Sequence, residues 1–190
     1  MTARALHPLV EAAAEGRLPD WAAVRPARRR HIEGVLALMD RWAGDLNLDG
    51  LQRKRWRAAA MLHDSLRDAD PETLVEAEDL PPRLRHGPAA AARLRGAGVE
   101  DAELLEAVRY HTLGWSGWGH LGRFLYLADY LEPGRAWQPA HNASLRARLP
   151  ADHEQVLRAV CAGRLSERIR RGGALRSESV DFWNSLRGKK

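Results

Sequence analysis

Apolar residues along this chain recur at intervals of three and four rather than two. His31, Val35, Leu38, Met39 and Trp42 fall at i, i+4, i+7, i+8 and i+11, and Trp56, Ala59, Ala60 and His63 at i, i+3, i+4 and i+7. Each set occupies one face of an α-helix. A third stripe, Leu104, Ala107, Val108 and His111, follows Glu100 and Asp101, whose negative charge suits a helix start. A fourth brings Leu125, Ala128 and Asp129 together before Pro133-Gly134 ends the element. No run alternates β-branched and polar residues as a half-buried strand does. The pattern predicts an all-α fold.

Helix boundaries follow from local chemistry. A short first helix is expected over about Pro8 to Glu15, then a linker broken by Pro19 and Pro26. Asp49 is a natural N-cap for the Trp56 helix. The stretch from Asp68 to Arg85 is polar and Pro-containing. Gly87-Pro88 reads as a helix start and Gly96 as its stop, which sets His86 just before an N-terminus. Three glycines and two tryptophans make Thr112 to Gly119 a loop. A longer helix carrying Val156, Val160, Leu165 and Ile169 follows, and then a short one capped by Ser177 with Val180 and Trp183.

Composition narrows the class. A chain of 190 residues with 45% hydrophobic and 29% charged residues suits one globular domain. Cys161 is the only cysteine, which excludes intrachain disulfides and thiolate-built zinc or iron–sulfur sites and points to a reducing compartment. No apolar run approaches a membrane span, and His7, Pro8, Glu11 and Glu15 interrupt the N-terminus where a secretory leader would be apolar; a cytoplasmic location is expected. The formal net charge of +5 comes almost wholly from arginine, the lysines being Lys54, Lys189 and Lys190. The surplus allows a polyanionic partner but singles none out.

The inward stripes contain polar side chains, and burying an unpaired imidazole or carboxylate costs several kcal/mol. Taken singly, each inward histidine reads as a hydrogen-bonded core residue. Together, His31, His63, Asp64, His86, His111 and Asp129 are imidazoles and carboxylates without a thiolate, a ligand set that suits iron, manganese, cobalt or zinc. Adjacent side chains on a helix diverge by about 100° and rarely serve one feature, yet a metal between them engages both His63 and Asp64. With two oxygens, Asp64 is able to bridge two cations about 3.5–4 Å apart, as in two-metal hydrolytic sites.

A distant His, a His-Asp pair, further histidines and a final Asp resemble the HD superfamily of metal-dependent phosphohydrolases, over roughly Arg28 to Arg135. Four segments carry the likeness to one branch, the YqeK-type symmetrical diadenosine tetraphosphatases: Met61-Leu62-His63-Asp64, Arg85-His86-Gly87-Pro88, Val108 to Gly114 with His111-Thr112, and Leu125 to Arg135 with Ala128-Asp129 and Glu132-Pro133-Gly134-Arg135. The resemblance implies a single-domain HD helical bundle, with residues 1–27 an N-terminal helix and linker, 28–135 the phosphohydrolase core and 136–190 a closing region. It implies one metal on His31, His63, Asp64 and Asp129 and a second on Asp64, His86 and His111, with iron the expected cation and manganese, cobalt or magnesium the alternatives. It further implies a water or hydroxide bridging the metals and cleavage of diadenosine tetraphosphate into two ADP molecules, so a small nucleotide is the expected partner, with room for a homodimer.

Arg67, one turn past His63-Asp64, and Arg135, just past the Asp129 helix, are placed to stabilise charge developing on phosphate oxygens; solvated surface arginines are the alternative. Arg67 stands where proteins of this type usually carry Lys, which keeps the charge and changes the donor geometry. Trp115 and Trp118 are read either as a mobile cover stacking on adenine or as a pair packing the loop onto the core, and His120 either as a phosphate contact or as an ordinary exposed histidine. His7, His141 and His153 have no supporting partners, and Cys161 reads as a small core residue. Two other functions stay open: an HD phosphohydrolase acting on a mono- or triphosphate or an alarmone, and a non-catalytic RNA- or protein-binding module.

Overall fold

His7 opens the first helix by accepting a hydrogen bond from the Leu9 amide at its Nδ1, and Pro8 occupies the first helical position, where no amide hydrogen is needed. The computed structural model describes residues 5–135 and 137–186, with no strand among them. The helices are α1 (Pro8–Ala14), α2 (Pro26–Asp45), α3 (Gly50–Leu62), α4 (His86–Gly96), α5 (Ala102–Tyr110), α6 (His120–Leu131), α7 (Pro139–Arg146), α8 (His153–Arg170) and α9 (Ser177–Ser185). Asp49 and Asp101 cap α3 and α5, accepting from the Gln52 and Leu104 amides at 2.8 and 3.1 Å.

Helix α6 is the axis of the bundle. Leu121, Phe124, Leu125, Tyr126, Leu127, Ala128 and Leu131 are all buried, so this helix is apolar around most of its circumference and neighbours surround it. Trp42 of α2 and Trp56 of α3 close on Phe124, with ring centroids 5.8 and 4.9 Å away. On another side Trp118 and Phe182 meet Tyr126, which ties the loop before α6 and helix α9 to the same axis. Helix α3 packs between α1 and α2, α4 pairs with α5, and α8 lies on α6. No helix among the described residues is long and apolar enough to cross a membrane.

Several expected boundaries shift. Pro26 begins α2 rather than ending a linker, and His86 is the first residue of α4. Gly96 stays helical; the turn is made by Gly98, whose φ of +94° needs a residue without a Cβ. The 68–85 stretch contains three single 3₁₀ turns, Pro71–Thr73, Val75–Ala77 and Pro82–Leu84. Helix α7 has no counterpart among the expected elements. Ser177 lies within α9 and makes no cap, since its hydroxyl turns to Glu178. Ile169 is exposed because the last turns of α8 run past the core, where Glu167 pairs with Arg170 and Arg171.

Gly114, in the His-Thr-Leu-Gly segment, has φ +87°, and a Cβ there would stand 2.2 Å from the Phe182 ring; Gly44 in α2 has nothing within 4 Å. Gly114→Ala is therefore expected to destabilise the fold by at least about 2 kcal/mol. Gly44→Ala should be neutral or stabilise by up to about 1 kcal/mol. Thermal unfolding of the two variants beside the parent checks the difference in sign.

Candidate metal centre

Helices α3 and α5 end in the same way. His63 and His111 each follow the last helical residue and turn Nδ1–H back onto a carbonyl three residues earlier, Ala60 at 2.7 Å and Val108 at 2.8 Å. A carbonyl only accepts, so the proton sits on Nδ1 and the Nε2 lone pair faces inward. The exposed carbonyls of a helix C-terminus carry partial negative charge, which favours a cation there. Asp64 lies in the turn just after α3, outside regular helix, so its carboxylate and the His63 ring reach the same space. His86 enters from the start of α4, His31 from α2 and Asp129 from α6.

These six side chains form two overlapping groups of inward donor atoms, His31, His63, Asp64 and Asp129 in one and Asp64, His86 and His111 in the other, with the atoms of each group within 4.8 Å of one another. In the second group the Nε2 atoms of His86 and His111 stand 3.1 Å apart, and Asp64 Oδ1 lies 3.2 and 3.4 Å from them. Ligands at right angles on an ion with bonds of about 2.1 Å are separated by about 3 Å, so the triangle fits a divalent cation. In the first group, Asp129 Oδ1 is 3.1 Å from His31 Nε2 and 3.9 Å from His63 Nε2. His63 Nε2 is buried and makes no hydrogen bond. An orphaned buried acceptor among carboxylates is what a metal ligand looks like from the protein side.

Electrostatics favour two neutral imidazoles and two charged carboxylates. Burial pushes the His63 imidazole down to about 4, so it is neutral, and burial likewise lowers His86. Burial alone would raise Asp64, but the imidazoles around it hold its carboxyl well below the usual range. For Asp129 the opposing groups are Arg135, His31 and Arg164. His31 is moved upward: burial works against its cation, and the hydrogen bonds to Asp129 and Glu132 outweigh burial.

A second layer holds the first, and most of it was not singled out by sequence reasoning. Glu132 accepts from His31 Nδ1 at 3.1 Å and from the Gly134 amide at 2.6 Å. Gly34 in α2 leaves room for it, since a Cβ there would stand 2.5 Å from its carboxylate. Arg28 donates to Asp64 Oδ2 at 2.7 Å, and Arg164 of α8 donates to Asp129 Oδ2 at 2.9 Å. Arg135 also donates to Asp129. Arg67 donates to the Arg83 carbonyl at 2.7 Å and stands 3.2 Å from His86 Nδ1. Arg164 carried a signal: with Val156 and Val160 it falls at i, i+4, i+8 on the buried stripe of α8.

Arg67 and Arg135 border a cavity of about 410 Å³ over Asp64, His86, His111 and Asp129. Trp115, Trp118 and His120 are not among its lining residues. Trp115 stacks on Tyr110 with centroids 5.6 Å apart, Trp118 is buried against Tyr126 and Phe182 with its indole N–H on the Glu106 carbonyl, and His120 packs beside Phe124 and His153. Trp118 is buried, Trp115 half-buried and His120 exposed. Cys161 is buried in the core.

Residues 28–134 match the HD domain family. The chain is similar to proteins named symmetrical bis(5'-nucleosyl)-tetraphosphatase. That of Bacillus subtilis (strain 168) is 36% identical over 99 residues, 46% of this chain and 53% of that protein, so the match spans about half its length. That of Halalkalibacterium halodurans is 30% identical over 133 residues, 64% of this chain and 69% of that protein. A crystal structure from Clostridium acetobutylicum, described as a "predicted HD superfamily hydrolase involved in NAD metabolism", superposes with a TM-score of 0.74 at 25% identity, covering 95% of this chain and 96% of that one.

If Glu132 orients His31 for a cation, Glu132→Ala should weaken Mn²⁺ binding by roughly 10–100-fold while the helical signal stays unchanged. Calorimetric titration together with circular dichroism measures both, and parental affinity in the variant would remove Glu132 from this role.

Proposed function

The chain belongs to the HD domain family, and from that premise we propose that it is a metal-dependent phosphohydrolase cleaving diadenosine tetraphosphate symmetrically into two ADP molecules. The observation that carries the reading is the buried, unpartnered Nε2 of His63 at the meeting point of two groups of imidazoles and carboxylates. The names of the Bacillus and Halalkalibacterium relatives support the substrate.

In this reading His31, His63, Asp64 and Asp129 hold one divalent cation and Asp64, His86 and His111 the other. Iron is the cation we assign, with manganese, cobalt or magnesium as alternatives. When bound, the cations acidify water near neutral pH and neutralise charge on phosphate. Asp64 presents one oxygen to each group and so sets their separation. Arg135 and Arg67 meet the negative charge that builds on the phosphate oxygens and on the departing ADP. With its Nε2 turned to a cation, His86 would carry its proton on Nδ1, so Arg67 would keep the Arg83 carbonyl and have a donor free for a phosphate oxygen in the cavity. Residues 28–135 form the catalytic core, and residues 137–186 close it through Arg164; the remainder of the expected closing region lies outside the described residues. The cytoplasm is the compartment we assign.

Purified protein reconstituted with Fe²⁺, Co²⁺ or Mn²⁺ is expected to convert diadenosine tetraphosphate to ADP alone. AMP with ATP would mean a different cleavage register, and no turnover on any nucleotide would favour a binding module. Asp64→Ala should abolish turnover and lower bound metal with little change in helical signal; unchanged turnover would take Asp64 out of the mechanism.

A further inference from the structure

Part of the wall of the cavity over the cluster is aromatic. Tyr130 follows Asp129 directly in α6, and Trp137 lies on the segment leading into α7; both line the cavity that reaches Asp64 and His111. Their rings meet edge to face, with centroids 5.6 Å apart and planes at 76°. Trp137 is 39% exposed, a large apolar surface left open beside a charged cavity. Gly163 of α8 lines the same cavity, and a Cβ there would stand 3.2 Å from the Tyr130 hydroxyl, so bare backbone keeps the space beside that ring open.

The backbone that carries the indole is fixed. The Trp137 carbonyl accepts from Asn142 Nδ2 at 2.9 Å, and Asn142 is 2% exposed. The next residue, Gln138, turns the chain with φ +47° into α7. Arg135, Arg164 and Arg171 line the same cavity. One cavity therefore offers a metal-ligand set, a group of guanidinium groups and an unburied aromatic pair, which correspond to the scissile phosphate, the remaining phosphates and the base of a nucleotide.

We propose that Trp137 and Tyr130 form a nucleobase subsite in which a purine stacks on the indole while its phosphates run along the cavity arginines to Asp64. The inference rests on the phosphohydrolase reading for its choice of a nucleotide ligand. Stacking asks for an exposed π-face beside a cationic path, and it favours purines through their larger overlap with indole. Trp118 is buried, and neither it nor Trp115 lines this cavity.

The test reads binding rather than turnover, on Mn²⁺-loaded protein, with ADP as the probe and pyrophosphate as its base-free counterpart. The parent should bind ADP more tightly than pyrophosphate. Trp137→Ala should lose about tenfold in ADP affinity and keep its pyrophosphate affinity, and Trp137→Phe should recover most of the loss. ADP affinity unchanged in Trp137→Ala, or ADP and pyrophosphate affinities falling together, would overturn the subsite. If diadenosine tetraphosphate is not cleaved to ADP while Trp137→Ala still weakens ADP selectively, the subsite stands and only the substrate assignment falls.

Discussion

Asp64 carries its charge almost fully buried, with the Arg28 guanidinium on one oxygen and imidazoles around the other. Oδ1 faces His86 and His111 at 3.2 and 3.4 Å, while Oδ2 is 2.7 Å from Arg28 and 3.6 Å from His63. Left unpaired, a buried carboxylate costs several kcal/mol or takes up a proton. Its partners come from the start of α2, the end of α3, the start of α4 and the end of α5, so meeting this one demand fixes where four helices begin or stop relative to one another. Asp129 repeats the demand from α6 and draws in His31, Arg135 and, from α8, Arg164.

The same constraint gives meaning to the arginine surplus. Arg28, Arg135 and Arg164 sit on the Asp64 and Asp129 carboxylates, and Arg67 sits beside His86, all of them lining the cavity. Guanidinium groups that offset carboxylates on one side present further donors to the cavity on the other, which is the charge pattern a polyphosphate needs. Arg164 also stacks over Tyr126 and Tyr130, 4.2 and 5.1 Å from their ring centres. Through it the C-terminal helices are coupled to the centre as well as to the core.

The helical class, the α3 cap, the acidic start of α5, and the inward direction of His63, His111 and Asp129 were legible along the chain, because each depends on neighbours within one or two turns. The stripe through His31 was legible less fully: Ile32 takes the buried position next to it, and His31 stands at the edge of the core facing Asp129. Glu132 lay in plain view within Glu-Pro-Gly-Arg, but nothing local distinguishes a carboxylate reaching back to α2 from one in solvent. The tryptophans show the same limit. Trp115-Ser-Gly-Trp118 and the sequence around Trp137 are both exposed-looking loop segments, but Tyr126 and Phe182, the latter arriving from α9, cover Trp118, while Trp137 stays 39% exposed.

By itself, the sequence determined periodicity, caps, breakers and the chemical types available for a centre, since these follow from side chains a few residues apart on a helix of known pitch. Tertiary structure alone decided which oxygen of Asp64 meets which imidazole, that Glu132 and Arg164 stand behind the inner donors, and which tryptophan keeps an open face. Those outcomes depend on ångström-scale distances between helices remote in the chain, set by how Trp42, Trp56 and Phe124 pack, and no local pattern encodes them.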